Sequence, residues 1–406
     1  MLLSIIIPTK NRQYTCLYAV ESALKITKAN FEVIVQDCSD DDSLGLQLKN
    51  KFGEDRRLKY FHSHTKPSMN ENWGMAISNS SGELVYGIGD DDAVLPEIID
   101  VAEWMSGKDI EAAIPMKIAY AWRDAYLGSY SNSRLSLASN FEGKIFKVDL
   151  GKEFVRKIKN CGFGYNFYLP NIYHGFITKK NLDLLKLKTG YYFGGTSLDV
   201  YTAFTATEFI KELYYVDYPI SINGASGKSN SNRFATGKGK EHFKEFKNYI
   251  RINFLPKAFN SGVSVIETTI QALKDTNKEE LIQTMNLSIV YAECAILEPK
   301  RFLHFYRDYK ANKNQNYKDR DFFIVYFKFQ KSKIMKDILN SLTKIIIPIF
   351  PNLEKLVERI TGSKKPICND ISECLKYIET YENKNNLKIQ FDREISILQT
   401  PKEIWE

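Results

Sequence analysis

Residues 82–96 read GELVYGIGDDDAVLP. Leu84 to Ile88 is an apolar run of buried-strand length, and Gly89 removes side-chain bulk. Asp90, Asp91 and Asp92 follow, before Val94, Leu95 and Pro96 restore packing. Neighbouring carboxylates repel one another, and beside a low-dielectric interior they stay ionised only if a cation or bulk water compensates them. Oxygen donors with no nearby His or Cys cluster suit Mg²⁺ or Mn²⁺ better than zinc. A solvated acidic turn is the plain alternative. Position favours the cation, because open α/β sheets bind ligands at the carboxyl ends of their strands.

Upstream, Leu3 to Pro8 reads as a buried strand, Thr9 to Arg12 as a loop, and Leu17, Val20, Ala23 and Leu24 as one helix face. Phe31 to Val35 is a second strand, leading into Gln36 and Asp37, so the opening is a βαβ unit with a parallel sheet. That pairing places Asp37 at a strand end beside Thr9. Leu58 to His62 is a third strand. Ser68 and Glu71 have capping-box spacing and start a helix through Trp73, Ala76 and Ile77, which delivers the chain to Leu84. His62 and His64 lack a third ligand and read as ordinary packing. Neither GxGxxG after the first strand nor GxxxxGK[ST] occurs, so the two common phosphate-cradling loops are absent.

SIIIPTKNR at 4–12, EVIVQDCSDDD at 32–42, NWGMAISNSSGELVYGIGDDDAVLP at 72–96 and SLDVY at 197–201 together resemble family 2 glycosyltransferases of the GT-A fold. The resemblance covers about the first 225 residues. It implies an α/β fold, a Rossmann-like nucleotide-binding mixed sheet with a C-terminal helical appendage. It also implies roles. Pro8 and Thr9, with Asp37, match positions that hold the base and ribose of a nucleotide sugar, and Lys10 and Arg12 are placed to meet ribose or phosphate. Asp90, Asp91 and Asp92 match the D-x-D region that binds Mn²⁺ or Mg²⁺ on the donor diphosphate. Asp199 matches the general base, although a carboxylate at a helix start is also a common cap. Two departures stand out: Gln36 and Asp37 replace the usual acidic pair, with Cys38 next, and Gly89 falls where the first aspartate of D-x-D-D is common.

Transfer from a nucleoside diphosphate asks for these groups in any case: a cation for the departing diphosphate and a base on the opposite side of the anomeric carbon. A single displacement inverts that carbon. On the acceptor side Trp122 and His174 are the candidates, and the aromatic faces of Trp122, Tyr126 and Tyr130 suit sugar rings; packing is the alternative for each. His174 is expected inside a strand from Asn171 to Thr178. Leu213 to Tyr218 is a further strand, leading to a Gly-, Ser- and Asn-rich segment with Lys228, Arg233, Lys238 and Lys240. Residues 226–244 read as a basic lid or linker. Beyond 245 the chain is helical, with a second capping box at Thr276 and Glu279, an amphipathic helix through Ile334, Ile338, Leu342 and Ile345, a short helix after Asn352, and another over Ile371 to Tyr381.

The chain has 406 residues and a net charge of +7, which suits one large domain (1–225) with an added helical unit (245–406). The charge is spread, and no nucleic-acid-binding signature accompanies it, so nucleic acid is not an expected partner. Six cysteines in neither metal-ligand spacing nor disulfide density favour a reducing compartment. No signal-peptide pattern or membrane-spanning run is evident, so the expected location is cytoplasmic, with peripheral contact on the inner membrane face open. The expectation is therefore a metal-dependent, inverting glycosyltransferase. It would use a UDP-sugar to extend a surface polysaccharide or lipid-linked glycan, with the C-terminal helices open to oligomerisation or membrane contact. The alternatives are a degenerate glycosyltransferase-like scaffold or glycan-binding module, and a sugar-phosphate nucleotidyltransferase.

Overall fold

The computed structural model describes residues 2–28, 30–53, 55–125, 133–138, 141–164, 168–246, 251–349, 363–364, 366–403 and 405. Strands β1 (Leu3–Thr9) and β2 (Phe31–Asp37) are buried along their whole length, as parallel strands covered on both faces must be. Their register sets Thr9 opposite Asp37. Helices α1 (Gln13–Leu24) and α2 (Ser43–Phe52) make the crossovers to β2 and to β3 (Leu58–His62). Helix α3 (Met69–Ser78) opens on the expected capping box, with the Glu71 N–H donating to Ser68 Oγ and the Ser68 N–H donating to the Glu71 carboxylate. It returns the chain to β4 (Leu84–Gly87), on the other side of β1. Growth outward from β1 to β3 and return to β4 creates a topological switch point at the carboxyl ends of β1 and β4. Residues 10–12 and 88–92 leave the sheet there.

β5 (Ala93–Val94) and α4 (Ile98–Gly107) come next, then β6 (Ala112–Ala121), β7 (Arg134–Ala138), β8 (Ile145–Val148), α5 (Leu150–Lys159), β9 (Phe176–Thr178), α6 (Lys179–Thr189), α7 (Leu198–Thr205) and β10 (Leu213–Ala225). β9 lies antiparallel between β4 and β6, β10 runs parallel to β6, and β8 antiparallel to β10. The sheet is therefore mixed. Helices α8 (Asn230–Ala235), α9 (Gly239–Lys244), α10 (Ser261–Asp275), α11 (Ser288–Leu297), α12 (Phe302–Asn312), α13 (Asp319–Ile349) and α14 (Ile371–Asn385) follow. One core packs α1, α4 and α14 on one sheet face, with Val20, Ile99 and Ile378 against Ile5, Ile7 and Tyr218. The other packs α3, α7, α10, α11 and the start of α13 on the opposite face, with Trp73, Phe204, Ile266, Tyr291 and Phe322 around Ile6, Ile34 and Val85. α10, α11, α14 and the start of α13 thus share these cores with the sheet.

Local readings diverge in three places. The strand expected over 171–178 is only Phe176–Thr178, because His174 turns the chain at φ 59 before it. The strand expected to stop at Tyr218 runs to Ala225, since Pro219 sits at a register shift against β6 and does not end the pairing. Thr276 closes α10 and does not open a helix: its hydroxyl donates back to the Ala272 carbonyl, and 279–284 are a 3₁₀ turn. The helix expected after Asn352, and Tyr126 and Tyr130, lie outside the described residues.

Candidate functional site

The switch point opens into a cavity of about 1210 Å³. Its wall takes Pro8, Thr9, Lys10 and Arg12 from the end of β1, Asp91 from the loop after β4, and Asp199 from the first turn of α7. The end of β10 and helices α8 and α9 close the opposite side, so residues 226–244 fold as short helices over the cavity. Lys228 Nζ donates to the Asn11 carbonyl at 2.9 Å, strapping that side to the β1 loop.

The three aspartates do not act as one cluster. Asp90 is buried, accepts the Thr9 hydroxyl at 2.6 Å, and lies 2.9 Å from an Arg12 guanidinium nitrogen. Burial pushes its carboxyl up to about 7 against the pull of Arg12. Asp92 accepts the N–H of Gly89 at 2.6 Å and of Gly224 at 2.7 Å, and its Oδ2 lies 3.1 Å from His174 Nε2. Burial opposes its charge, but His174 and the two amides outweigh burial and hold it below the usual carboxylate range. Asp91 accepts the Ser226 N–H and hydroxyl at 2.9 and 2.6 Å, and Arg12 reaches it at 3.4 Å. Of the three, Asp91 alone lines the cavity.

Three expected site residues sit behind the wall. Asp37 is fully buried, with the Ser39 N–H donating to Oδ1 at 2.8 Å and the Tyr60 hydroxyl to Oδ2 at 2.9 Å. Trp122 is buried against Tyr14, Tyr18 and Tyr120, and its indole N–H donates to the Asp91 carbonyl at 2.8 Å. His174 is buried between Asp92 and Ser221, whose hydroxyl lies 2.8 Å from Nδ1. Burial lowers its pKa, so it is neutral at pH 7. The acceptor-side expectation for Trp122 and His174 is thus corrected: both brace the aspartate loop from inside, because their polar edges find partners there. Tyr173, next to His174, is the residue whose side reaches the cavity, with its hydroxyl donating to Asn223 at 3.1 Å.

Sequence reasoning missed Lys117. It projects from β6 into the cavity, 5.5 Å from the Tyr173 ring centroid. Lys117 is exposed to the open cavity, yet the protein crowding around it weighs against its charge and lowers its pKa, opposed first by Asp199 and then by Asp92. A lone cation in the apolar stretch AAIPMKIAY was the available signal. Asp199 accepts the Ser197 hydroxyl at 2.8 Å and otherwise faces the cavity.

Among the described residues no group of three or more His, Cys, Asp or Glu side chains is poised as a metal cage. Asp91 fits a cation in another way, because Mg²⁺ commonly keeps one or two protein carboxylates and takes its remaining ligands from phosphates and water.

Residues 4–164 match the family model described as glycosyl transferase family 2. A GalNAc(5)-diNAcBac-PP-undecaprenol beta-1,3-glucosyltransferase of Campylobacter jejuni is 34% identical over 94 residues, 23% of this chain and 30% of that protein. The Escherichia coli UDP-Glc:alpha-D-GlcNAc-diphosphoundecaprenol beta-1,3-glucosyltransferase WfgD is 26% identical over 163 residues, 40% of this chain and 57% of that protein. The matched stretches thus span less than two thirds of these relatives. A crystal structure of S. aureus TarS 1–349 with UDP-GlcNAc superposes with a TM-score of 0.44 at 14% identity, over 82% of this chain and 92% of that one.

Proposed function

Because residues 4–164 belong to glycosyl transferase family 2, we propose that this chain moves a sugar from a nucleoside-diphosphate sugar to a hydroxyl of a surface polysaccharide or lipid-linked glycan, inverting the anomeric carbon. A uridine diphosphate sugar is the favoured donor, in keeping with the UDP-glucose named for the E. coli relative. The undecaprenol diphosphate glycans named for both relatives make a lipid-linked acceptor the natural class. In this reading residues 1–225 carry the transfer, 226–244 cover the donor, and 245–406 brace the sheet.

The observation that carries the proposal is a shared cavity lined by the end of β1, Asp91 and Asp199. The β1 end, Pro8 to Arg12, receives the nucleotide. A divalent cation held by Asp91 and the donor phosphates would neutralise charge on the leaving diphosphate. Asp199 accepts the proton of the acceptor hydroxyl as its oxygen bonds to the anomeric carbon and the bond to the diphosphate breaks. Lys228 and the short helices α8 and α9 keep water from the reacting centre.

A thermal-shift panel of nucleoside diphosphates, with and without Mn²⁺, tests the donor side. Uridine diphosphate with Mn²⁺ is expected to raise the melting temperature, since a ligand at 100 times its Kd adds about 2.7 kcal/mol of stability. A folded chain silent to every nucleotide would favour the scaffold reading.

A further inference from the structure

Helix α13 is apolar on two sides, and among the described residues only one side has a partner. Phe322 and Val325 are buried in the core shared with α11 and α12, where Phe302 and Tyr306 meet the Phe322 ring. On the other side Ile324, Phe327 and Ile334 are 47%, 64% and 52% exposed. With Arg320 and Lys331, both exposed, they recur at steps of four, three, four and three residues, which makes one face of an α-helix. The same stepping continues in the sequence through Ile338, Leu342 and Ile345. Large apolar side chains left in water in a row mark a contact surface.

Charge says what that surface meets. Residues 300–344 hold twelve Lys or Arg and four Asp, an excess of eight, whereas the excess for the whole chain is seven. The acids at the start of α13 are already spent: Asp319 lies 3.5 Å from Lys310 and 3.4 Å from Lys313, and Asp321 accepts the Lys318 N–H at 2.6 Å. Arg320 and Lys331 have no carboxylate partner among the described residues. Two copies of so basic a face repel one another, whereas a bilayer with anionic headgroups attracts it, and the boundary of its acyl chains takes Ile and Phe. This basic segment also begins at the candidate site. Leu297, the last residue of α11, lines the cavity and is itself exposed, and the turn Pro299–Arg301 leads from it directly into α12.

We propose that the outer face of α13, from Arg320 to Ile334, is a docking surface for an anionic phospholipid membrane, on which the helix lies in the interfacial plane. Ile324, Phe327 and Ile334 enter the boundary below the headgroups. Arg320 and Lys331, on the same face, lay their aliphatic stems along that stripe and hold their charges at the level of the lipid phosphates. The use of such docking rests on the proposed lipid-linked acceptor: a glycan carried in the bilayer is met by a cavity whose rim, at Leu297, adjoins the basic segment.

Sedimentation of the full chain with phosphatidylcholine vesicles, with and without phosphatidylglycerol, tests the surface. The chain is expected to pellet with the phosphatidylglycerol vesicles, to bind pure phosphatidylcholine roughly tenfold or more weakly, and to be released by salt. Ile324→Asp with Phe327→Asp should abolish pelleting, and Arg320→Gln with Lys331→Gln should weaken it roughly 25-fold, about fivefold per charge. Both double variants should keep the parent's response to uridine diphosphate and Mn²⁺ in the absence of vesicles, because none of these side chains lines the cavity. A parent that stays in the supernatant would overturn the proposal, as would pelleting unchanged by the two aspartates. Dimers in analytical ultracentrifugation that the aspartates convert to monomers would also overturn it, making the face a contact between copies. Should the aspartate pair fail to fold, Phe327→Ser gives the same comparison. Vesicle binding by a chain silent to every nucleotide supports the surface and counts against the transferase reading alone.

Discussion

Asp92 satisfies two backbone amides and touches His174 in the interior, whereas Asp91 lines the cavity. Asp92→Asn weakens the charge-assisted bonds it accepts from the Gly89 and Gly224 amides in the interior and is expected to cost about 2–3 kcal/mol in urea denaturation. Asp91→Asn alters a buried side chain that accepts two bonds from Ser226, so it should cost about 1–3 kcal/mol while abolishing the Mn²⁺-dependent nucleotide response. Asp199→Asn should retain the nucleotide response and lower transfer roughly 10²- to 10⁴-fold, the usual worth of a general base. Nucleotide release measured beside the thermal shift separates the two effects. The triplet itself is legible in the sequence, but which aspartate meets the cavity is not. That choice depends on Thr9, Gly224 and Ser226, residues distant in the chain that fold back to claim Asp90, Asp92 and one oxygen of Asp91.

β10 is the element that makes those claims. Its continuation past Pro219 to Ala225 brings the Gly224 N–H to Asp92, and a Cβ at Gly224 would run into the Asp91 carbonyl and the Trp122 indole nitrogen. Gly224→Ala should therefore push β10 off the aspartate loop, costing about 1–3 kcal/mol and weakening the nucleotide response; urea midpoints and the thermal-shift panel measure both. Local chemistry at 68–71 sufficed to start α3, since the capping box is made within one turn. The same spacing at 276–279 did not start a helix. Thr276 ends α10, whose burial on α7 and α11 carries that helix to its last turn. Tertiary packing outweighed a cap signal of about 1 kcal/mol.

Across the whole molecule, α14 and the sheet face beside it enclose Glu382, which is 8% exposed. Burial, with Glu97 adding repulsion, raises Glu382 to about 8. A carboxyl raised in the folded state stabilises fully below its unfolded value, and that stability is lost as pH climbs through about 8. Unfolding free energy should therefore fall between about pH 5 and 9 by up to roughly 4 kcal/mol from this group. Glu382→Gln should flatten the curve, matching the parent near pH 5 and exceeding it near pH 9 in urea titrations. No described helix is long and apolar enough to cross a membrane. The sequence alone determined the parallel β1–β2–β3 start, the α3 cap, the β4 strand with its acidic turn, and the family likeness, because each is written in contiguous residues whose periodicity or turn chemistry acts locally. The tertiary structure alone decided that Asp37, Trp122 and His174 brace the site from behind, that Lys117 and Asp199 line the same cavity, and that late helices share the cores of the sheet. Those outcomes depend on which distant polar partner reaches a side chain first, and burial makes the first partner decisive.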